Sequence, residues 1–414
     1  MCSHPEKSCQ IFRAPWVVPV AAPVIRDGAV VLNENSIVAV GSCSDISSRF
    51  SDLPQTSCSG VIIPALVNAH IHLDLSAYGN VCQESEDSTM CDWISALLQK
   101  RQQAHFSDEE LKAAAENILQ DQYDSGVGLL LDISNVNLGH FESCPVERVV
   151  LFEMLGPSKS ARQAAISAIQ NLPPDQAVTG HAPYSTTPEL LKYIKERCHS
   201  QGELFSLHLS ENPDEALLLA KGGGCFSQFL KERGGWDGTF PIPGIDSSGV
   251  VGYLHELGIL DNKTICVHCV HLTTKEIRII ADSHAHVCFC PGSNRFLSVG
   301  TAPLEQFLKY KILPALGTDS IASNPKLDMW SEMSLLRQMH PDVSPEHIFS
   351  MATLGGAKAM HRDNDFGSLE QGRKASILHV QGLPYKELSS ADQLFDRLTS
   401  CGRPDSITWL NLEL

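Results

Sequence analysis

The sequence predicts an α/β chain: a (β/α)8 TIM barrel carrying a small composite β-sandwich built from its two ends. Three observations lead there. Eight short apolar runs, at 61–69, 127–133, 148–155, 177–180, 204–209, 264–270, 286–290 and 312–316, alternate with helical patterns. Most of these runs end in a polar residue of a type that ligates metals or titrates. Residues 10–60 alternate in the manner of strands, and the C-terminal segment repeats that character. The expected division is a small β domain from 1–60 and 365–414, with a metal-dependent barrel over 61–364.

In chain order, 29–32, the turn 33–36 and 37–41 read as a β-hairpin. Within the barrel segment, Ser107 with Glu110 and Thr273 with Glu276 have capping-box spacing. There the hydroxyl accepts from the third helical amide and the glutamate reaches back. Thr187 before Pro188 and Ser344 before Pro345 place a capping hydroxyl ahead of proline, whose missing N–H costs nothing at the first helical position. The stretches 367–369, 376–380 and 407–410 read as strands completing the small domain. The glycine-rich run 221–225 is no phosphate loop, since no Gly-Lys-Ser/Thr follows.

Composition narrows the function classes. With 43% hydrophobic and 19% charged residues the chain is not disordered. A net charge of −17 leaves no excess cation for phosphates, so the partners expected include no nucleic acid and no anionic membrane. No apolar run reaches the roughly 18 residues of a spanning helix, and the N-terminus lacks a basic segment followed by an apolar one. A soluble cytoplasmic protein is expected, with a homo-oligomer compatible. The 14 cysteines are expected to stay reduced, several of them packing as small hydrophobes in strands. Cys266 and Cys269 have C-x-x-C spacing but lie within a strand-like run, and Cys288 with Cys290 does not supply the second pair of a zinc ribbon.

The chemistry gathers at the strand ends. In order these carry His70 and His72, Asp132, Glu153, His181, His208, His268, Asn294 and Asp319. A barrel brings its C-terminal strand ends to one mouth, so residues spread over the whole chain become neighbours. A lone histidine at a strand end is more often structural than ligating. His70 and His72 differ, because period two points both imidazoles to one side of a strand. His208 and Asp319 would complete three nitrogens and one carboxylate, a set suited to one Zn2+ or Fe2+. Glu211, three residues beyond His208, is placed to act as an acid–base group, with a helix first-turn carboxylate as the plainer reading. His268 could be a second-metal ligand, a base that positions water, or a packed core histidine.

The run Pro64-Ala-Leu-Val-Asn-Ala-His-Ile-His72 resembles the first-strand signature of the amidohydrolase superfamily. His208-Leu-Ser-Glu211, Val267-His-Cys-Val-His271, Cys290-Pro-Gly-Ser-Asn294 and Gly317-Thr-Asp-Ser320 are similar to its deaminase and chlorohydrolase branch. The resemblance covers nearly the whole chain. It implies metal ligation by His70, His72, His208 and Asp319, a proton shuttle at Glu211, and contact with the hydrolytic water at His268 and Asp319. It places His181 towards the substrate, and Tyr184 and Trp93 are taken as further substrate-binding residues. No lysine ends the fourth strand, so the resemblance implies a mononuclear site. Asp74 stands where relatives often carry Glu, and Ser376 where Asp is common. The implied reaction is hydrolytic deamination of a small aminated heterocycle, an adenine nucleoside such as aminofutalosine or a 5′-substituted adenosine. A free-base or pterin deaminase, a triazine-type chlorohydrolase and a catalytically inactive scaffold are the alternatives.

Overall fold

The structure, a computed structural model, describes residues 9–81, 88–141, 144–382 and 385–410. Eight strands form the barrel: β1 Leu66–Ile71, β2 Val127–Ser134, β3 Glu147–Met154, β4 Val178–Gly180, β5 Phe205–Leu209, β6 Thr264–His268, β7 His286–Phe289 and β8 Ala315–Leu316. They pair in parallel as two runs of four, β1 to β4 and β5 to β8. Two seams close the ring. At β4/β5 the His208 amide donates to the His181 carbonyl at 2.8 Å. At β8/β1 the Thr318 and Asp319 amides both donate to the His70 carbonyl, at 2.9 and 3.0 Å. Every residue of β1, β2, β5 and β6 is buried. Helices cover the outside and side chains fill the inside, which is why these strands read as unbroken apolar runs.

Three expected strands are corrected, of which 367–369 forms no strand at all. The run at 61–69 divides, because Val61–Pro64 pairs with Gln10–Val17 and Ile377–Gln381 in the small sheet. The chain changes partner at that point: the Ala65 amide donates to Ser376, the Leu66 amide to Gly126. Both halves are buried and apolar, and the one sign of the break in the sequence is Pro64, which has no N–H for a ladder. The run at 312–316 shrinks to Ala315–Leu316, since Pro314 has no N–H for the ladder.

The small sheet draws seven strands from both chain ends. Its spatial order is Ser406–Trp409, Ile377–Gln381, Val61–Pro64, Gln10–Val17, Ile25–Leu32, Ile37–Ser42, with Gln55–Ser57 also beside Gln10–Val17. Its two faces carry separate apolar clusters, Val30 and Leu32 in one, Ala29 and Val31 in the other. The expected turn at 33–36 is held by Asn33 Oδ1, which accepts from the Asn35 and Ser36 amides.

Four helices bear on the site: α1 Met90–Gln103, α2 Gly224–Glu232, α3 Pro291–Phe296 and α4 Met329–Met339. The capping boxes at Ser107 and Thr273 form, and Ser344 accepts from the His347 amide. Thr187 occupies the expected cap position, but its hydroxyl makes no capping bond. The expectation of wholly reduced cysteines is also corrected: Cys91 at the start of α1 is joined to Cys225 at the start of α2. Cys266 and Cys269 are free and fully buried. Among the described residues no helix is long and apolar enough to cross a membrane.

Candidate metal and catalytic site

His70 and His72 leave the end of β1 on the same side, His208 comes from β5, and Asp319 lies just beyond β8. Each offers a ligand atom, and these atoms all lie within 4.8 Å of one another. Asp319 Oδ1 is 3.4 Å from His72 Nε2 and 3.7 Å from His70 Nε2. All four residues are buried, and both ring nitrogens of His70 have no hydrogen-bond partner. Buried polar atoms in folded proteins are almost always satisfied, so such orphans call for a ligand.

The surroundings fix each donor. His208 Nδ1 meets the His181 carbonyl at 3.0 Å, which leaves its Nε2 to face the cluster. Asp319 Oδ2 accepts from Ser293 Oγ at 2.5 Å and Ser323 Oγ at 2.7 Å, so Oδ1 is turned to the histidines. Burial pushes His70 well below the ordinary histidine range and lowers His72, which keeps them neutral. Burial alone would raise Asp319, but the His70 side chain and the imidazoles of His72 and His268 outweigh it and hold the carboxyl well below its usual range. Neutral imidazole nitrogens facing a carboxylate in a dry recess fit a divalent cation of the Zn2+ or Fe2+ type.

Glu211 and His268 complete the site. Glu211 lies beyond β5 and ahead of the Asn212 cap of the next helix, so it is not a first-turn residue of that helix. It is only 3% exposed, and burial pushes its carboxyl up to about 8. Its Oε1 is 3.6 Å from His268 Nδ1. That nitrogen is also 2.8 Å from Asn294 Oδ1, while His268 Nε2 is buried without a partner. His268 and Asp319 both have left-handed backbone, with φ of 69° and 58°. For residues other than glycine this costs roughly 1–2 kcal/mol each. Here it turns both chains sharply where the strands end.

His72, Trp93, His181, Tyr184, His208, Glu211, His268 and Asp319 line one cavity of about 510 Å³. Tyr184 stacks on Phe226 of α2 at 4.1 Å between ring centroids, and Trp93 Nε1 donates to the Ala322 carbonyl. Beyond the polar end the walls are apolar, with Met90, Ile94 and Leu97 from α1 facing Phe229 and Leu230 from α2. The Cys91–Cys225 bond joins these two walls, and Arg101 and Arg233 border the same space.

Asp132 and His271, which follows β6, fall elsewhere. Asp132 accepts from the Leu73 amide and lies 3.8 Å from Arg148, outside this cavity. His271 Nε2 meets the Val299 carbonyl. Sequence reasoning missed three supporting groups: Ser293, Ser323 and Glu332. Glu332, fully buried on α4, accepts from the Gly292 amide at 2.7 Å and from Asn324 Nδ2 at 2.8 Å. It thereby ties together the two segments whose serines hold Asp319. Ser293 and Ser323 stood beside residues already singled out, but nothing in a helical pattern marks Glu332.

The model of the amidohydrolase family matches residues 61–399. The chain belongs to the amidohydrolase family. Among amidohydrolases it is similar to the 5-methylthioadenosine/S-adenosylhomocysteine deaminase of Moorella thermoacetica, 27% identical over 384 residues, covering 88% of this chain and 83% of that one. The fold is that of Helicobacter pylori aminofutalosine deaminase solved with methylthio-coformycin: TM-score 0.80, 21% identity, 98% of this chain and 100% of the other. It is equally that of an adenosine deaminase from Xanthomonas campestris with bound zinc: TM-score 0.72, 22% identity, coverage 97% and 91%.

Proposed function

We propose that this amidohydrolase deaminates an adenine nucleoside hydrolytically, converting C–NH2 and water to C=O and ammonia. The observation that carries the reading is Glu211. Its buried carboxyl, raised to about 8, faces His268 beside the three-histidine, one-aspartate cluster at the polar end of an elongated cavity. The similarity to nucleoside deaminases supports it. In this reading the catalytic barrel begins at Leu66 and runs to about 364, the strands of 10–64 and of 377–409 form the small domain, and the enzyme is cytoplasmic.

His70, His72, His208 and Asp319 would hold one divalent ion, and the zinc of the Xanthomonas structure favours Zn2+ over Fe2+. When bound, that ion supplies Lewis acidity, which brings the pKa of water towards 7. Glu211, protonated at neutral pH, donates to the ring nitrogen beside the amine-bearing carbon and makes that carbon electrophilic. His268 Nε2 and Asp319 Oδ1 orient the attacking water and accept its proton. Glu211, left as a carboxylate, takes the proton that the water gave to His268 and hands it to the amine nitrogen. As the C–N bond breaks and ammonia leaves, the new hydroxyl gives its proton to Glu211, which forms C=O and restores the acid. General acid–base help of this kind contributes typically 10²–10⁴-fold.

His181, Tyr184 and Trp93 take the sugar and its 5′-substituent. The apolar walls of α1 and α2 leave far more room than a free base fills. An ammonia-release screen tests this, comparing adenosine, 5′-methylthioadenosine, S-adenosylhomocysteine and aminofutalosine with adenine, cytosine, guanine, pterins and a chlorotriazine. Turnover of 5′-substituted nucleosides above free bases is expected. A better free base, or chloride release, would replace the reading.

A further inference from the structure

Glu153 ends on the cavity wall without a role in the chemistry above. It sits near the end of β3, with its side chain 4% exposed. Its Oε2 accepts from Asn135 Nδ2 at 3.2 Å, and the same amide reaches the Glu153 carbonyl at 3.1 Å. The Asn135 amide N–H is in turn taken by Asp74 at 3.0 Å, so the asparagine is fixed from both sides. Glu153 Oε1, by contrast, is buried without any partner. Among the described residues the basic group within 4 Å is His208, whose Nδ1 is 3.7 Å away. That nitrogen is already engaged with the His181 carbonyl at the shorter distance of 3.0 Å.

A carboxylate oxygen shut away from water and left unmatched is costly, whereas hydrogen bonds to a charged group are among the stronger ones. The oxygen has room for two donors, and the protein supplies neither. The N–H donors of the adenine base are those of its exocyclic NH2, the group that reacts at the Glu211 end. Glu153 stands instead on β3, next to β4, whose end carries His181, the residue assigned to the sugar. The donors at that position on a nucleoside are the hydroxyls of its ribose. We infer that Glu153 is a specificity-determining residue that accepts from the vicinal 2′,3′-diol, so that the enzyme selects ribonucleosides over deoxynucleosides. This rests on the nucleoside reading above.

The test compares kcat/KM for adenosine, 2′-deoxyadenosine, 2′,3′-dideoxyadenosine and adenine in wild type, Glu153→Ala and Glu153→Gln, with metal content measured for each protein. Glu153→Gln keeps the side-chain shape. Its amide oxygen can take the Asn135 bond, while its NH2 replaces the acceptor. The expected wild-type preference for adenosine over the dideoxynucleoside is about 10- to 100-fold, the worth of hydrogen bonds to a charged acceptor. In both variants the ratio should collapse towards one through loss with adenosine alone, metal content unchanged. A wild type indifferent to the diol, or a preference that survives in Glu153→Gln, overturns the inference while leaving nucleoside deamination standing. Turnover of adenine with none of the nucleosides overturns both.

Discussion

Replacing Glu211 with glutamine removes a proton and almost nothing else. At pH 7 a glutamate with an ordinary pKa near 4.5 holds its proton about 0.3% of the time, whereas one raised to about 8 holds it about 90% of the time. Burial therefore favours the acid form at neutral pH, which is the state a general acid needs, and a placed general acid contributes typically 10²–10⁴-fold. Glu211→Gln should lower kcat by at least 10²-fold, equivalent to about 2.7 kcal/mol of transition-state stabilisation. KM should stay within a few-fold, because the cavity keeps its shape. Because the protonated form is the active one, wild-type kcat should fall as pH rises through about 8, and that limb should vanish in the variant. Ammonia release under saturating substrate gives kcat, and metal analysis runs alongside. A variant within tenfold of wild type, with its metal in place, would refute the assignment and hand the proton to another carboxyl.

Four further outcomes are expected. His72→Ala should lose most of its metal and its activity while circular dichroism shows the barrel still folded; full metal occupancy would remove His72 from the ligand set. Trp93→Ala should raise KM for 5′-methylthioadenosine about tenfold, near 1.4 kcal/mol, and that for adenosine less; equal effects would move the substituent off this wall. Glu332→Gln should weaken metal affinity or activity by roughly 10- to 100-fold, as is usual for residues that orient ligands, since an amide cannot accept from both Gly292 and Asn324; a chelator competition titration reads it. Burial raises Glu215 and Glu332 to about 8, so each of these two groups holds a proton in the folded chain that it has lost in the unfolded one between about pH 4.5 and 8. That contribution is complete below 4.5 and is lost as pH rises through 8. Above about pH 7, where the histidines that burial depresses are neutral in both states, melting temperature should accordingly fall as pH rises, and Glu215→Gln should flatten that slope.

The strand-end residues were legible because the barrel converts sequence order into a ring. His70, His72, His208 and Asp319 each close a run whose composition is unmistakable, and period two settles that the first pair shares a side. Three things were not legible. The split at Ala65 is nearly hidden because both halves are buried and apolar and Pro64 alone marks it; the change of hydrogen-bond partner is what separates them. The Cys91–Cys225 bond joins residues 134 apart, a proximity set by how α1 and α2 fold over the mouth rather than by any local spacing. Glu332 and Glu153 act through distant partners, and a carboxylate's worth depends on what it faces. Glu153 showed its position at a strand end but not that one of its oxygens would be left without a donor.

The β8/β1 seam makes closing the ring and assembling the site one event. The His70 carbonyl takes the amides of Thr318 and Asp319, and Asn68 Nδ2 reaches Thr318 Oγ1 across 250 residues of chain. The side chains of His70 and Asp319 meet at the same place. An ion held by His70, His72, His208 and Asp319 would act as a clasp on the barrel, since anything that binds only the closed form stabilises it by RT ln(1 + [L]/Kd), about 4 kcal/mol at a thousandfold excess over Kd. Stripping the ion should loosen the two seams that carry its ligands before the rest. The Thr318, Asp319 and His208 amides would then exchange with deuterium well ahead of the amides within β2, which carries no ligand.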